Sequence, residues 1–98
     1  MIKEQLQWKD AGGLAKEKWR LEHGNVRLTV SIVFNQWVID LERSAGSLGW
    51  LSVDREIRSM EMSRKEALDR AISMLHSEAK RLQEAYELMA DSDDPEVE

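Results

Sequence analysis

Apolar and polar positions alternate with a period of two through the middle of the chain. Val26, Leu28, Val30, Ile32 and Phe34 share one face, and Arg27, Thr29, Ser31 and Val33 share the other, as in a strand with one buried side. Trp37, Ile39 and Leu41 continue the pattern against Val38, Asp40 and Glu42. A reversal at Asn35-Gln36 pairs Phe34 with Trp37, Ile32 with Ile39 and Val30 with Leu41, all on the apolar face. Gln36 tolerates positive φ poorly, so a slightly longer loop also stays open. Upstream, Gly24-Asn25 is a good two-residue turn, which sets Leu21 opposite Leu28, Trp19 opposite Val30, and Glu22 opposite Arg27 on the reverse side. Both hairpins therefore bury the same face, and a one-residue slip in either would turn its apolar row outward.

Toward the ends the alternation is shorter. Leu6 and Trp8 in "QLQWKD" fit an edge strand, or residues 2–8 form a short helix, and Gly12-Gly13 ends either one. After the "RSAGSLG" loop, "WLSVDREIRSMEM" predicts a last strand within residues 50–61, interrupted near Asp54.

From residue 63 the period changes to that of a helix. Ser63 is a good N-cap, and Glu66 three residues later completes the Ser-x-x-Glu capping pattern. Ala67, Leu68, Ala71, Ile72, Leu75, Ala79, Leu82, Ala85, Tyr86 and Met89 recur at three and four residues as one stripe. Pairing of Glu66 with Arg70, and of Glu84 with Lys80 and Arg81, is expected along the polar side. A helix of about 26 residues is roughly 39 Å long, whereas strands of about eight residues span roughly 27 Å. The last turns, carrying Leu82, Ala85, Tyr86 and Met89, should overhang the sheet. Leaving them bare forgoes about 1.5 to 3 kcal/mol per large side chain. Their cover is the N-terminal segment with Ile2, Leu6 and Trp8, a second copy of the chain, or a foreign protein.

These elements predict an α+β fold: an antiparallel meander of three to five strands with one long C-terminal helix packed on one face. At 98 residues the chain makes one domain, residues 1–90. Residues 91–98, "DSDDPEVE", carry five acids and no base and read as a disordered acidic tail. The formal net charge of -5 resides there, for residues 1–90 hold 14 acids and 14 bases. A neutral body lacks the field that drives phosphate-backbone binding and the dense negative surface of a nucleic-acid mimic. The N-terminus has neither a signal-peptide pattern nor a membrane anchor, so cytoplasmic residence without membrane contact is expected.

The search for chemistry favours a protein without catalysis, metal or cofactor. Cysteine is absent, which removes disulfides, thiolate metal sites and Cys nucleophiles. His23 lies beside a turn and His76 on a helix flank, with no carboxylate–histidine pattern of a metal site. Asp40 and Glu42 project together from the outer sheet face, the ordinary arrangement of a solvated strand, and no neighbour is apparent that would shift either toward acid–base work. The glycine pairs match turns, not a phosphate-binding loop. Of four tryptophans, Trp19 and Trp37 fall on the core face. Trp8 and Trp50 are open between core and contact, tryptophan being favoured at binding hot spots.

Strands followed by a helix opening "SRKEAL" resemble the last part of a double-stranded-RNA-binding domain, whose final helix starts with a Lys-rich, phosphate-contacting segment. Arg64 and Lys65 match, while Leu68 and Asp69 stand where further bases belong, and the neutral body also disfavours nucleic acid. The whole layout, a Trp-containing edge, antiparallel strands and a helix opening with Ser63, Lys65, Glu66 and Ala67, resembles small proteins of bacteriophages and mobile elements, among them anti-defence inhibitors such as anti-CRISPR proteins. That resemblance implies no catalytic residue. The function expected is a non-enzymatic protein-binding module, an inhibitor or regulator of a host protein, acting through Leu82, Tyr86, Met89 and Trp50 on an unidentified protein or as a homodimer through the C-terminal helix. The alternatives are a nucleic-acid-associated protein using Arg20, Arg27, Arg64 and Lys65, and a small enzyme whose site forms only in an oligomer.

Overall fold

In the computed structural model, which describes residues 6–13 and 16–92, five antiparallel strands follow one another as a meander and one helix crosses one face. The strands are β1 (Lys9–Asp10), β2 (Lys18–His23), β3 (Val26–Val33), β4 (Gln36–Ser44) and β5 (Trp50–Ser59), and the helix is α1 (Arg64–Ala90). The sheet order β1-β2-β3-β4-β5 is the chain order, so the α+β meander with its long C-terminal helix is the fold of this chain. The edge strand expected near Trp8 is β1, two residues long. The expectations on Ile2, on the rest of a 2–8 helix and on residues 93–98 of the tail lie outside the described residues.

The β2/β3 register matches the alternation: Leu21 opposes Leu28, Trp19 opposes Val30 and Glu22 opposes Arg27. Gly24 takes φ 60 at the turn, a conformation that costs glycine nothing. The β3/β4 hairpin corrects its expected register by two residues. Ile32 opposes Trp37, Val30 opposes Ile39 and Leu28 opposes Leu41, and the turn is Phe34-Asn35, both with positive φ (50 and 60). Such a turn matches the right-handed twist of the flanking strands. A shift of two keeps every side chain on its face but expels Phe34, which is 94% exposed at the tip instead of opposite Trp37. The interruption expected near Asp54 is a bulge. Leu41 opposes Asp54 and Glu42 opposes Ser52, so Val53 is the extra residue.

The core lies between the sheet and the first half of α1. Leu28, Val30, Ile32, Trp37, Ile39 and Leu41 meet Ala67, Ala71 and Met74, with Trp8, Leu21, Val26, Met62, Leu68, Ile72 and Leu75 packed around them. Ala67 and Ala71 are fully buried, and their small side chains let the helix axis approach the strands. Trp37 donates its indole N–H to the Met62 carbonyl at 2.8 Å, pinning the β5–α1 connection over the core. Trp19, expected in the core, is half-buried at its rim. Its indole N–H donates to Glu17 and the Arg64 guanidinium lies 5.0 Å over its ring.

Ser63 accepts from the Glu66 N–H at 3.1 Å, as the capping pattern requires. The expected helical ion pairs differ. Arg70 bonds Glu56 of β5 at 2.6 Å, not Glu66, because Glu56 stands opposite Ile39 on the helix side of the sheet. Arg81 pairs with Glu78 at 3.1 Å, not with Glu84. The Arg70 hydrogen bonds hold the Glu56 carboxyl below the usual carboxylate range, against a smaller opposing effect of burial, with Arg58 assisting.

Candidate interaction surface on the distal helix

The row of α1 turned to the sheet is Ala67, Ala71 and Met74, spaced four and three. The neighbouring row, Leu68, Ile72 and Leu75, is half-buried against the same core. Beyond Glu78 the sheet ends beneath the helix, and every residue from Ala79 to Ser92 is exposed. At 27 residues α1 is about 40 Å long. Its overhang contributes to a longest dimension of 59 Å and a radius of gyration of 17.0 Å, against about 13 Å for a compact domain of this size.

The overhang retains its apolar stripe. Leu82 is 47% exposed, Tyr86 63% and Met89 72%, and Leu88, outside the stripe, is bare as well. At its root a groove of about 270 Å³ opens between helix and sheet, lined chiefly by Val26, Leu41, Val53, Leu75, Ala79 and Leu82. Val53 reaches this groove because of the bulge. Below it β5 presents Asp54, Glu56 and Arg58 on the helix side, opposite Leu41, Ile39 and Trp37. Val26 and Val53 are two of the lining residues that sequence reasoning did not assign to the surface. Val26 begins an alternating run and reads as core, and no periodicity announces which way a bulged residue points.

Leu82, Tyr86 and Met89 thus share one surface, and Trp50 does not join them. It opens β5 opposite Ser44 on the outer face, with the Arg27 guanidinium 4.3 Å over its ring. That outer face is a network of polar pairs. Arg27 makes two bonds to Glu42 at 3.1 and 3.2 Å, and Thr29 donates to Glu42 at 2.9 Å. Asp40 accepts from Ser52 at 2.7 Å and from Arg55 at 2.9 Å. The adjacent acids singled out by the alternation are therefore each held by a base and a hydroxyl. Asp40 holds the Arg55 guanidinium above its ordinary pKa through that bond.

The four basic residues weighed for nucleic acid do not form a patch. Arg20 and Arg27 lie on the outer face, whereas Arg64 and Lys65 open α1 on the opposite side. Arg64 pairs with Glu17 at 3.1 Å and Lys65 with Asp69 at 2.9 Å. With Arg27 held by Glu42, only Arg20 of the four has no carboxylate partner among the described residues, and its Nε is buried without a hydrogen bond. Among the described residues no three His, Cys, Asp or Glu side chains group as metal ligands, and no helix is long and apolar enough to cross a membrane.

Comparison of the chain with protein families, with curated proteins and with solved structures gave no match in any of the three.

Proposed function

We propose that this chain is a non-enzymatic protein-binding module whose working surface is the distal half of α1 with the groove at its root. The observation that carries the reading is the continuation of one apolar stripe, through Leu82, Tyr86 and Met89, past the last residue that the sheet covers. Helices are held in globular proteins mainly by packing of their apolar face, and large apolar patches rimmed by polar residues mark protein contacts. The resemblance of the layout to small phage proteins makes inhibition or regulation of a host protein the form this binding takes.

The test compares the wild-type chain with the double variant Leu82→Glu, Tyr86→Glu. Both positions are exposed, so the variant keeps the circular dichroism and thermal unfolding of the parent. It loses whatever association the parent shows, whether self-association in sedimentation or retention of a protein from bacterial lysate. Association that survives both substitutions, or its complete absence in the parent, removes the basis of this reading.

A further inference from the structure

We infer that the outer face of the sheet, the side away from α1, carries a binding site for a small organic oxyanion: a carboxylate or phosphate head with a compact apolar body. The site is separate from the distal helix and goes beyond the protein-binding role.

The first argument is a sorting of charge. An open cleft of about 330 Å³ on that face is lined by four bases, Lys18, Arg20, Arg27 and Arg55, and by two acids, Asp40 and Glu42. Both oxygens of Glu42 are engaged, by Arg27 and Thr29, and both of Asp40, by Arg55 and Ser52. Each acid of the cleft thus already has its base, and Lys18 and Arg20 have no carboxylate partner among the described residues. In a chain of net charge -5 the cleft keeps an excess of two positive charges. The neighbouring cleft beside β1 keeps none, because Asp10 and Glu22 line it together with Lys9 and Arg20.

Arg20 itself is the second argument. Its Nε is buried with no hydrogen-bond partner. Desolvating a charged donor without an acceptor is costly, so such a group calls for an acceptor from outside the chain. The guanidinium fork suits the paired oxygens of a carboxylate or a phosphate. Lys18 stands two residues away on the same face of β2, about 7 Å along the strand. Across the ladder Thr29 is opposite Arg20 and Ser31 opposite Lys18. Thr29 and Ser31 are each only 8% exposed although α1 packs on the other face, so they form the floor of a trough. An oxyanion lying over Ser31 comes within reach of both long cationic side chains.

The third is the apolar ground beside the cations. Val38 is opposite Ser31 on one side and Ile57 on the other, and Val33 lines the same cleft. Val33 is 41% and Ile57 55% exposed. A head held by Lys18 and Arg20 therefore lays its body over Val33, Val38 and Ile57, and the volume lies at the small end of ligand pockets. A polyanion is disfavoured, since two unpaired bases on a net acidic chain do not make the extended basic surface that a phosphate backbone requires.

Amide NMR of the full chain tests the site with three probes: inorganic phosphate, phenyl phosphate and benzoate. Saturable shifts are expected at Lys18, Arg20, Ser31 and Val38 at millimolar or lower concentration. Phenyl phosphate should bind more tightly than inorganic phosphate, and the stronger of phenyl phosphate and benzoate identifies the preferred head. Arg20→Gln should weaken binding at least about tenfold and Lys18→Gln about threefold, with the shifts of α1 unchanged as the sign of an intact fold. Should Arg20→Gln not fold, Lys18→Gln and Ser31→Ala carry the test. The double variant Leu82→Glu, Tyr86→Glu should bind the probes as the parent does, which separates this site from the protein-binding surface. No saturable shift with any probe, shifts centred away from the cleft, or full affinity retained in Arg20→Gln or, where that variant does not fold, in both Lys18→Gln and Ser31→Ala overturns the inference. Equal affinity for phenyl and inorganic phosphate overturns its apolar part.

Discussion

Trp37 and Met62 are joined across the sheet-to-helix connection by the 2.8 Å bond from the indole N–H to the backbone carbonyl. Trp37 is almost wholly buried and Met62 partly so, which places the bond out of reach of most of the solvent. Trp37→Phe retains an aromatic ring but leaves the carbonyl without its donor. A loss of about 1 to 3 kcal/mol in urea unfolding is expected, from a shifted midpoint at unchanged slope.

Ala71 tests how closely α1 must lie on the sheet. Its side chain is fully buried against the apolar rows of β3 and β4. Ala71→Leu adds volume where none is free and lifts the helix, at a cost of about 1 to 3 kcal/mol. Ala79→Leu, one turn past the covered region, should change the stability of a dilute monomer little, because Ala79 is exposed. Thermal unfolding of the pair separates the two positions.

Phe34 sits at a turn whose φ of 50 suits Asn or Gly, and its ring covers nothing in its own chain. The left-handed conformation costs a bulky residue about 1 to 2 kcal/mol. Phe34→Asn should therefore stabilise the chain by about 1 kcal/mol and raise the melting temperature by a few degrees. Unchanged or lower stability would show that the ring has a role in the folded chain.

The same turn shows how far the pattern of residues could be read. Alternation assigned residues 26–33 of β3 and 37–42 of β4 to their correct faces, because burial of one side imposes a period of two. It could not locate the reversal, since moving the turn by two residues preserves both faces. Turn chemistry would have decided the matter, but neither Phe34-Asn35 nor Asn35-Gln36 is a strong signal. The helix was legible from Ser63 to Met89 because cap and period agree. Its overhang followed from length alone. The groove beneath it depends on Val53, whose direction is set by a bulge, and on the end of the sheet near Val26, which only the assembled register reveals. The ion pairs were missed for a related reason: Arg70 turns to Glu56 on another element, and local spacing on the helix cannot see it.

Glu56 supplies a pH dependence with a definite sign. Its carboxyl is held below the ordinary range by Arg70, so the folded chain binds this proton less readily than the unfolded one. The stabilisation is complete above the unfolded pKa, about 4.3, and disappears as pH falls through the lower folded value. The difference in stability between the parent and Glu56→Gln should therefore be small at pH 6, shrink further below about pH 4, and shrink with added salt at neutral pH. Equal differences throughout would separate Glu56 from this pairing.

Among the described residues the meander of five strands leaves two rims free, and the bulge at Val53 bears on one of them. It bends β5 midway, and Asp54, Arg55, Glu56 and Arg58 place charges along the following stretch. The opposite rim, β1, offers a ladder only two residues long. A foreign strand meets a bent and charged template along β5 and a charged two-residue one at β1, which disfavours extension of the sheet at those two strands.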